Sequence, residues 1–212
     1  TLNVKGTSEV ILQPDEHASI DTINVDSDAV LTVAGIGEIY ADSGIFSVSE
    51  CNGILQNEDG SRMFPVEMVF ELPGTYHLKL NGEELTVETN EDGVVYFLLA
   101  EGNYDLQVAC EPFYFYGNFP VVGKQQIEQT DLSLYADISK GDLVIEDHTV
   151  SLGDDRIQSN ANVTVIQSTD EAHAVYVEKK DAMLIIDDPK ADMQIYLPEG
   201  FEGQIENTSG TA

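Results

Sequence analysis

Five carboxylates gather in one short stretch and have the residue types of a metal or catalytic cluster. The stretch ETNEDGVVYFLLAEGNYDLQV, residues 88–108, contains Glu88, Glu91, Asp92, Glu101 and Asp105. A calcium loop of the D-x-[DN]-x-[DN]-G type is not formed by ETNEDG. The acids stand instead at predicted turns and strand ends, where side chains face water. We therefore expect no metal site and no cofactor here.

A second candidate for chemistry is the pair Asp154 and Asp155 in the segment SLGDDRIQS. Polygalacturonase-type enzymes place G-D-D before a strand and use two aspartates as acid and base across a glycosidic bond. The downstream G-H-G of those enzymes does not occur in this sequence. Adjacent residues of a strand also point to opposite faces. The pair therefore favours a polar corner over a hydrolase.

The other residues that could react are scattered. No pair among the histidines has ligand spacing, the cysteines form no C-x-x-C motif, and Asp187-Asp188-Pro189 is typical of a turn. One disulfide and two free thiols both remain open for the cysteines. The sequence has no G-x-S-x-G and no phosphate-binding loop, so we expect no enzyme. The histidines and cysteines are His17, His77, His148, His173, Cys51 and Cys110.

An aromatic run is the most distinctive candidate for binding. The segment CEPFYFYGNFP holds five aromatic residues between positions 113 and 119. In an extended strand, Phe113 and Phe115 face the core while Tyr114 and Tyr116 face outward. Either the run packs between domains, or Tyr114, Tyr116 and Phe119 form an aromatic platform for a glycan or a partner protein.

Composition excludes several classes of partner. Nine Lys and Arg residues stand against 39 Asp and Glu, a formal charge of −30. Nucleic acids and anionic membrane surfaces are therefore unsuitable partners, since both bind through basic residues. No window reaches the roughly 18 apolar residues of a membrane helix. There is no signal-peptide pattern and the sequence starts at Thr1, so we expect a fragment of a longer protein.

The hydrophobic pattern predicts strands along the whole chain. Apolar residues alternate with polar ones in short runs separated by Gly, Asp, Asn and Ser, and no stretch has helical spacing. Asn81-Gly82 predicts a two-residue hairpin turn and Glu91-Asp92-Gly93 a second turn. The continuous run Val94–Leu99 predicts a strand covered on both faces. We expect more than about 40% strand and less than about 10% helix, against averages nearer one quarter and one third.

The middle of the chain resembles a known β-sandwich module. TNEDGVVYFLLAEGNYDLQV is similar to the D-x-x-G-x-x-x-F-x-L-x-x-G-x-Y-x-L-x-V pattern of collagen-adhesin B-type and carboxypeptidase-regulatory-type modules. The resemblance covers roughly residues 66–112. It implies a small sandwich of the immunoglobulin-like or prealbumin-like type, which serves as a spacer in bacterial surface proteins.

The last third resembles two kinds of bacterial β-solenoid. SLGDDRIQSNANVTVIQS is similar to rungs of carbohydrate-binding-type solenoids. DLSLYADISKGDLVIED, AVYVEKKDAMLIIDD and DMQIYLPEGFEGQIENTSG are similar to the putative-adhesin family. This resemblance implies a cell-surface solenoid without assigned activity, and short strands broken by Gly, Asn, Asp or Pro suit its sharp corners.

Together these patterns predict an all-β protein with solenoid-like or strand-rich flanks around a small sandwich. We expect a strand-rich segment at 1–64, a sandwich at 65–122 and a solenoid segment at 123–212, with a Greek-key sandwich as the alternative for the last. The expected role is adhesion at a bacterial cell surface, by binding a glycan or a surface protein. A structural spacer is the alternative, and a carbohydrate-active enzyme comes third.

Overall fold

A computed structural model of the chain describes residues 1–12, 20–35, 37–42, 46–171, 173–187, 189–190 and 192–208. More than half of the described part is β-strand, which confirms the predicted all-β class. Its only helical element is one 3₁₀ turn, η1 (Gln129–Asp131). None of the described segments forms a helix long and apolar enough to cross a membrane.

The strands are short and follow one another through tight turns. Those of the first half are β1 (Leu2–Val4), β2 (Glu9–Leu12), β3 (Ile20–Val25), β4 (Val30–Val33), β5 (Ile39–Asp42), β6 (Phe46–Cys51), β7 (Ile54–Gln56), β8 (Met63–Val69), β9 (Thr75–Leu80), β10 (Glu83–Glu88) and β11 (Val94–Ala100). Those of the second half are β12 (Gly102–Cys110), β13 (Phe113–Val121), β14 (Gln125–Glu128), β15 (Ser133–Asp137), β16 (Leu143–Ile145), β17 (Thr149–Leu152), β18 (Asp155–Gln158), β19 (Val163–Ile166), β20 (Val175–Val177), β21 (Met183–Ile186), β22 (Ile195–Tyr196) and β23 (Gln204–Asn207).

Contacts divide the chain into two compact units. The first unit comprises residues 1–105 and 118–129, and the second comprises residues 106–117 and 130–212. Strands β12 and β13 each contribute residues to both units. The expected division into segments 1–64, 65–122 and 123–212 stays a prediction.

The start of the first unit consists of two parallel sheets, ordered β1-β3-β6 and β2-β4-β7. Leu31 of β4 pairs with Val10 on one side and with Leu55 on the other. Alternate residues of β4 are buried because one face of the strand packs on a common core with Val4 and Val25. The repeated in-register pairing places one apolar row above another.

The rest of the first unit is antiparallel apart from the parallel pair β14–β8. One sheet is ordered β14-β8-β11-β5, and β9 pairs with β10 in another. Strand β11 lies between two neighbours and has no exposed residue, as its apolar run predicts. Because no residue of β11 is exposed, its sequence lacks the alternation of a half-exposed strand.

Two turns of the first unit form where the sequence predicts them. Asn81 and Gly82 have φ of 49° and 84° and join Leu80 to its partner Glu83, as expected for a tight hairpin. Gly93 has φ of 78°, and a Cβ there would lie 2.7 Å from the carbonyl oxygen of Phe70. Positions 82 and 93 therefore need glycine, because other residues adopt such positive φ values only at a cost in free energy.

Parallel strand pairing occurs again in the second unit, across a larger number of strands. Leu134 of β15 pairs with Val163 of β19, Val163 with Leu184 of β21, and Leu184 with Ile205 of β23. Successive partners lie roughly 20 to 30 residues apart, which is a typical repeat length. Leu134, Val163 and Leu184 are buried, and we call them the inward row. A second parallel set, β16-β20-β22, pairs in the same way.

An antiparallel hairpin is added to that second set. Strands β17 and β18 pair with each other, and β17 pairs with β16. The turn between them consists of Gly153 and Asp154, because Leu152 pairs directly with Asp155. The predicted polar corner at Asp154 and Asp155 is thus a hairpin turn, and both side chains are exposed.

Candidate functional site

The aromatic run lies on β13 and divides between its two faces. Phe113 and Phe115 are 3% and 1% exposed, which confirms that they belong to the core. Tyr114 and Tyr116 are half-buried and point to the other face, as the period of two predicts. The strand therefore anchors itself through phenylalanine and presents tyrosine on its outer side.

A third tyrosine, from β15, completes this outer surface. Strand β13 pairs antiparallel with β15, so that Tyr114 lies directly opposite Tyr135. The rings of Tyr114 and Tyr135 stack at 4.9 Å between centroids with an interplanar angle of 16°. The ring of Tyr116 meets that of Tyr135 edge-on, at 5.8 Å and 84°. We call Tyr114, Tyr116 and Tyr135 the tyrosine face.

Smaller side chains lie beside the tyrosine face on the next strands of the sheet. Tyr135 pairs with Thr164 of β19, and Thr164 pairs with Ile185 of β21. Thr164 is only 2% exposed, whereas Ile185 is partly exposed. The outer surface of the second unit thus offers rings and a partly exposed aliphatic side chain, with phenol hydroxyls as polar groups.

Tyr114 and Tyr135 are neutral under ordinary conditions. Burial raises the pKa of Tyr114, and the nearby Tyr135, Asp187 and Asp137 raise it further. Burial and Asp187 also raise the pKa of Tyr135, against a smaller lowering by the Thr164 hydroxyl. Because the phenols keep their protons, they can donate hydrogen bonds as well as accept them.

Carboxylates flank the tyrosine face. Burial raises the pKa of Asp137, but hydrogen bonds from Ser168 and Ser139 outweigh this effect and leave the pKa below its ordinary value. The backbone N–H groups of Ser168 and Ser139 donate to Asp137 Oδ1 at 3.0 and 3.1 Å. Asp187 accepts a hydrogen bond from the Thr208 hydroxyl at 2.7 Å. These acids make the surroundings unfavourable for an anionic ligand.

Phe119, which the sequence grouped with Tyr114 and Tyr116, stacks on the ring of Tyr104. It belongs to the first unit, where it is half-buried and its ring lies 5.9 Å from that of Tyr104 at an angle of 19°. The structure brings together Tyr114, Tyr116 and Tyr135 instead. Tyr135 was not singled out from the sequence because its partner is fixed by long-range strand pairing, which no local pattern reveals.

Four of the five acids of residues 88–108 lie at turns and strand ends, as predicted, whereas Asp105 lies inside β12. All five are exposed: Glu88, Glu91, Asp92, Glu101 and Asp105. The amide oxygen of Asn90 organises the turn by accepting hydrogen bonds from the N–H groups of Asp92 and Val94 at 3.0 and 2.9 Å. Across the residues that the structure describes, no three potential ligands come close enough to hold a metal ion.

The remaining polar candidates have local partners. His77 is hydrogen-bonded to Thr86 at 3.1 Å and His148 to Asn160 at 2.7 Å. His173 Nδ1 lies 3.6 Å from Asp142. Cys51 and Cys110 are free thiols, and burial raises the pKa of both. His17 and Asp188 lie outside the described residues.

Comparison of the chain with protein-family models, with curated proteins and with solved structures gives no match. The resemblances to bacterial surface modules therefore rest on sequence motifs alone. Any functional conclusion must come from the geometry of the chain itself.

Proposed function

We propose that this chain is a non-enzymatic binding module of a bacterial cell-surface protein, and that its tyrosine face contacts a glycan or a surface protein. The parallel parts are proposed to be β-solenoid segments and the antiparallel part an immunoglobulin-like or prealbumin-like sandwich. The observation that carries the proposal is the cluster of Tyr114, Tyr116 and Tyr135 on one outer sheet surface.

The physical argument rests on rigid aromatic area. The rings support one another, so little conformational entropy remains to be lost when a ligand binds. Half-exposed tyrosines offer apolar surface to the C–H groups of a sugar or to a protein side chain, and their hydroxyls add directional contacts. The flanking Asp137 and Asp187 favour a neutral ligand over an anionic one.

A structural spacer is the second candidate, and the parallel stacking of the second unit favours it. The inward row Leu134, Val163 and Leu184 is almost completely buried. Repeated rows of this kind form elongated scaffolds in which each repeat contacts only its neighbours. In a spacer the tyrosines would serve only to pack on one another.

A glycan array with matched variants tests the proposal. The double variant Tyr114→Ala/Tyr116→Ala removes two rings of the tyrosine face. Tyr176→Ala/Tyr196→Ala is the control, because those rings also stack, at 5.0 Å and 9°, on the other parallel set of the same unit. Far-UV circular dichroism and thermal unfolding verify that each variant is folded.

We expect the first variant to keep its fold and to lose its array signal, while the control keeps both. Equal signals from the folded Tyr114→Ala/Tyr116→Ala variant and the unchanged chain would refute the role of the tyrosine face. Absence of any signal from the unchanged chain, on the glycan array and in binding to a panel of surface proteins, would favour the spacer.

A further inference from the structure

A cleft of about 430 Å³ in the first unit is a separate candidate for binding. Glu38, Arg62 and Glu101 line it together with Ser61 and Asn103. Backbone hydrogen bonds hold the three segments together: Glu101 N–H donates to the carbonyl of Arg62 at 2.9 Å, and Ala100 N–H donates to that of Glu38 at 3.2 Å. The cleft is therefore built from strand ends rather than from one long loop.

The walls of the cleft are fixed by side chains whose polar atoms are already used. Asn81 donates to the carbonyl of Asn103 at 3.2 Å and accepts from the N–H of Asp105 at 2.8 Å. The Tyr104 hydroxyl donates to the carbonyl of Ala100 at 2.9 Å. This leaves a preformed concave surface, and preformed sites lose less entropy on binding.

Arg62 is the distinctive group in this cleft. Its guanidinium carbon lies 5.5 Å from the centroid of the Phe64 ring, a distance at which the cation is attracted to the ring. Among the described residues, no carboxylate lies within the 4.0 Å of an ion pair with Arg62. The chain's other arginine, Arg156, is 2.7 Å from Glu146. The described part of the chain thus has no carboxylate paired with Arg62 that would compete with a ligand.

The charges of the lining select among ligand classes. Two exposed carboxylates, Glu38 and Glu101, oppose a phosphate or a carboxylate, as does the overall charge of −30. Arg62 opposes a metal cation. A polyol suits both kinds of group, because each hydroxyl can donate to a carboxylate and accept from a guanidinium.

We propose that this cleft binds a neutral saccharide of one or two sugar residues. The volume lies within the range of about 300 to 1,000 Å³ that is usual for small-ligand sites. Arg62 supplies paired donors, and Glu38 and Glu101 supply acceptors for neighbouring hydroxyls. The inference does not depend on the tyrosine face, which belongs to the other unit.

Saturation-transfer NMR on the intact chain tests the proposal with cellobiose, lactose and N,N′-diacetylchitobiose as neutral probes. D-galacturonate and glycine serve as anionic and zwitterionic probes. We expect at least one neutral disaccharide to bind. We expect Arg62→Gln to weaken it about tenfold, since a hydrogen bond to a charged group contributes about one such factor.

Arg156→Gln is the matched control, because it removes the other arginine and should leave saccharide affinity unchanged. Tyr114→Ala/Tyr116→Ala should also leave it unchanged, which separates this site from the tyrosine face. If Arg62→Gln fails to fold, Glu101→Gln replaces it, since Glu101 is exposed, and a severalfold loss is expected.

Three results would overturn the proposal. The first is no binding of any neutral probe at millimolar concentration. The second is unchanged affinity in a folded Arg62→Gln variant, or in Glu101→Gln if that variant replaces it. The third is tighter binding of galacturonate or glycine than of the disaccharides, which would assign the cleft to a charged ligand.

Discussion

Phe115 offers the sharpest test of how the aromatic strand is anchored. The side chain is 1% exposed and is among the largest fully buried ones in the described part of the chain. Burying a phenylalanine removes about 150–250 Å² from water, and at about 25 cal/mol per Å² this contributes about 4–6 kcal/mol as an upper estimate. Alanine retains a small part of that area but leaves a cavity. We therefore expect Phe115→Ala to lower the free energy of unfolding by about 3–5 kcal/mol.

The measurement is urea unfolding followed by tyrosine fluorescence and circular dichroism. Phe119→Ala is the matched control, because Phe119 has the same side chain, lies on the same strand and is only half-buried. That control should cost clearly less, about 1–2 kcal/mol, in proportion to its smaller buried area. A loss below about 1 kcal/mol for Phe115→Ala would refute the assignment of this residue to a packed core.

Three further predictions concern the turns and the charges. Gly82 has φ of 84°, so Gly82→Ala should destabilise the β9–β10 hairpin by about 1 kcal/mol. Gly123→Ala is the control and should not destabilise the chain. Equal melting temperatures of the two variants would contradict this prediction. The folded-state pKa of Asp137 lies below its ordinary value of 3.8, so its stabilising contribution is complete above that value and is lost as pH falls through the folded pKa. Asp137→Asn should therefore lose less stability than the unchanged chain between about pH 5 and pH 2, and parallel acid-unfolding curves would exclude this role. Calcium should stabilise the chain only weakly and non-specifically, because the exposed acids of residues 88–108 form no ligand set; stoichiometric micromolar binding in calorimetry would disprove this.

Local features of the fold were predictable because local physics decides them. Asn81 and Gly82 adopt the positive φ values of a hairpin turn, which asparagine and glycine tolerate better than other residues. Phe113 and Phe115 alternate with tyrosines, so a strand with one buried face necessarily separates them. The continuous apolar run Val94–Leu99 predicted a strand covered on both faces, and no residue of β11 is exposed.

The candidate sites were less predictable because they depend on pairing between distant segments. Tyr135 joins the tyrosine face only through its register with Tyr114. Phe119 lies on the same strand yet stacks on Tyr104, a partner that sequence spacing alone does not indicate. The cleft at Arg62 likewise assembles from four segments that are distant in the sequence.

The hairpin of β17 and β18 shows where this architecture accepts additional sequence. The step from Leu134 to Val163 contains this hairpin, whereas the step from Val163 to Leu184 does not. Both steps nevertheless keep their inward residues buried and in register. The turn at Gly153 and Asp154 is exposed and joins two strands of a different sheet from that inward row. For protein engineering, it is therefore the natural position for grafting a peptide epitope, because added length there enters solvent and leaves the stacked rows intact.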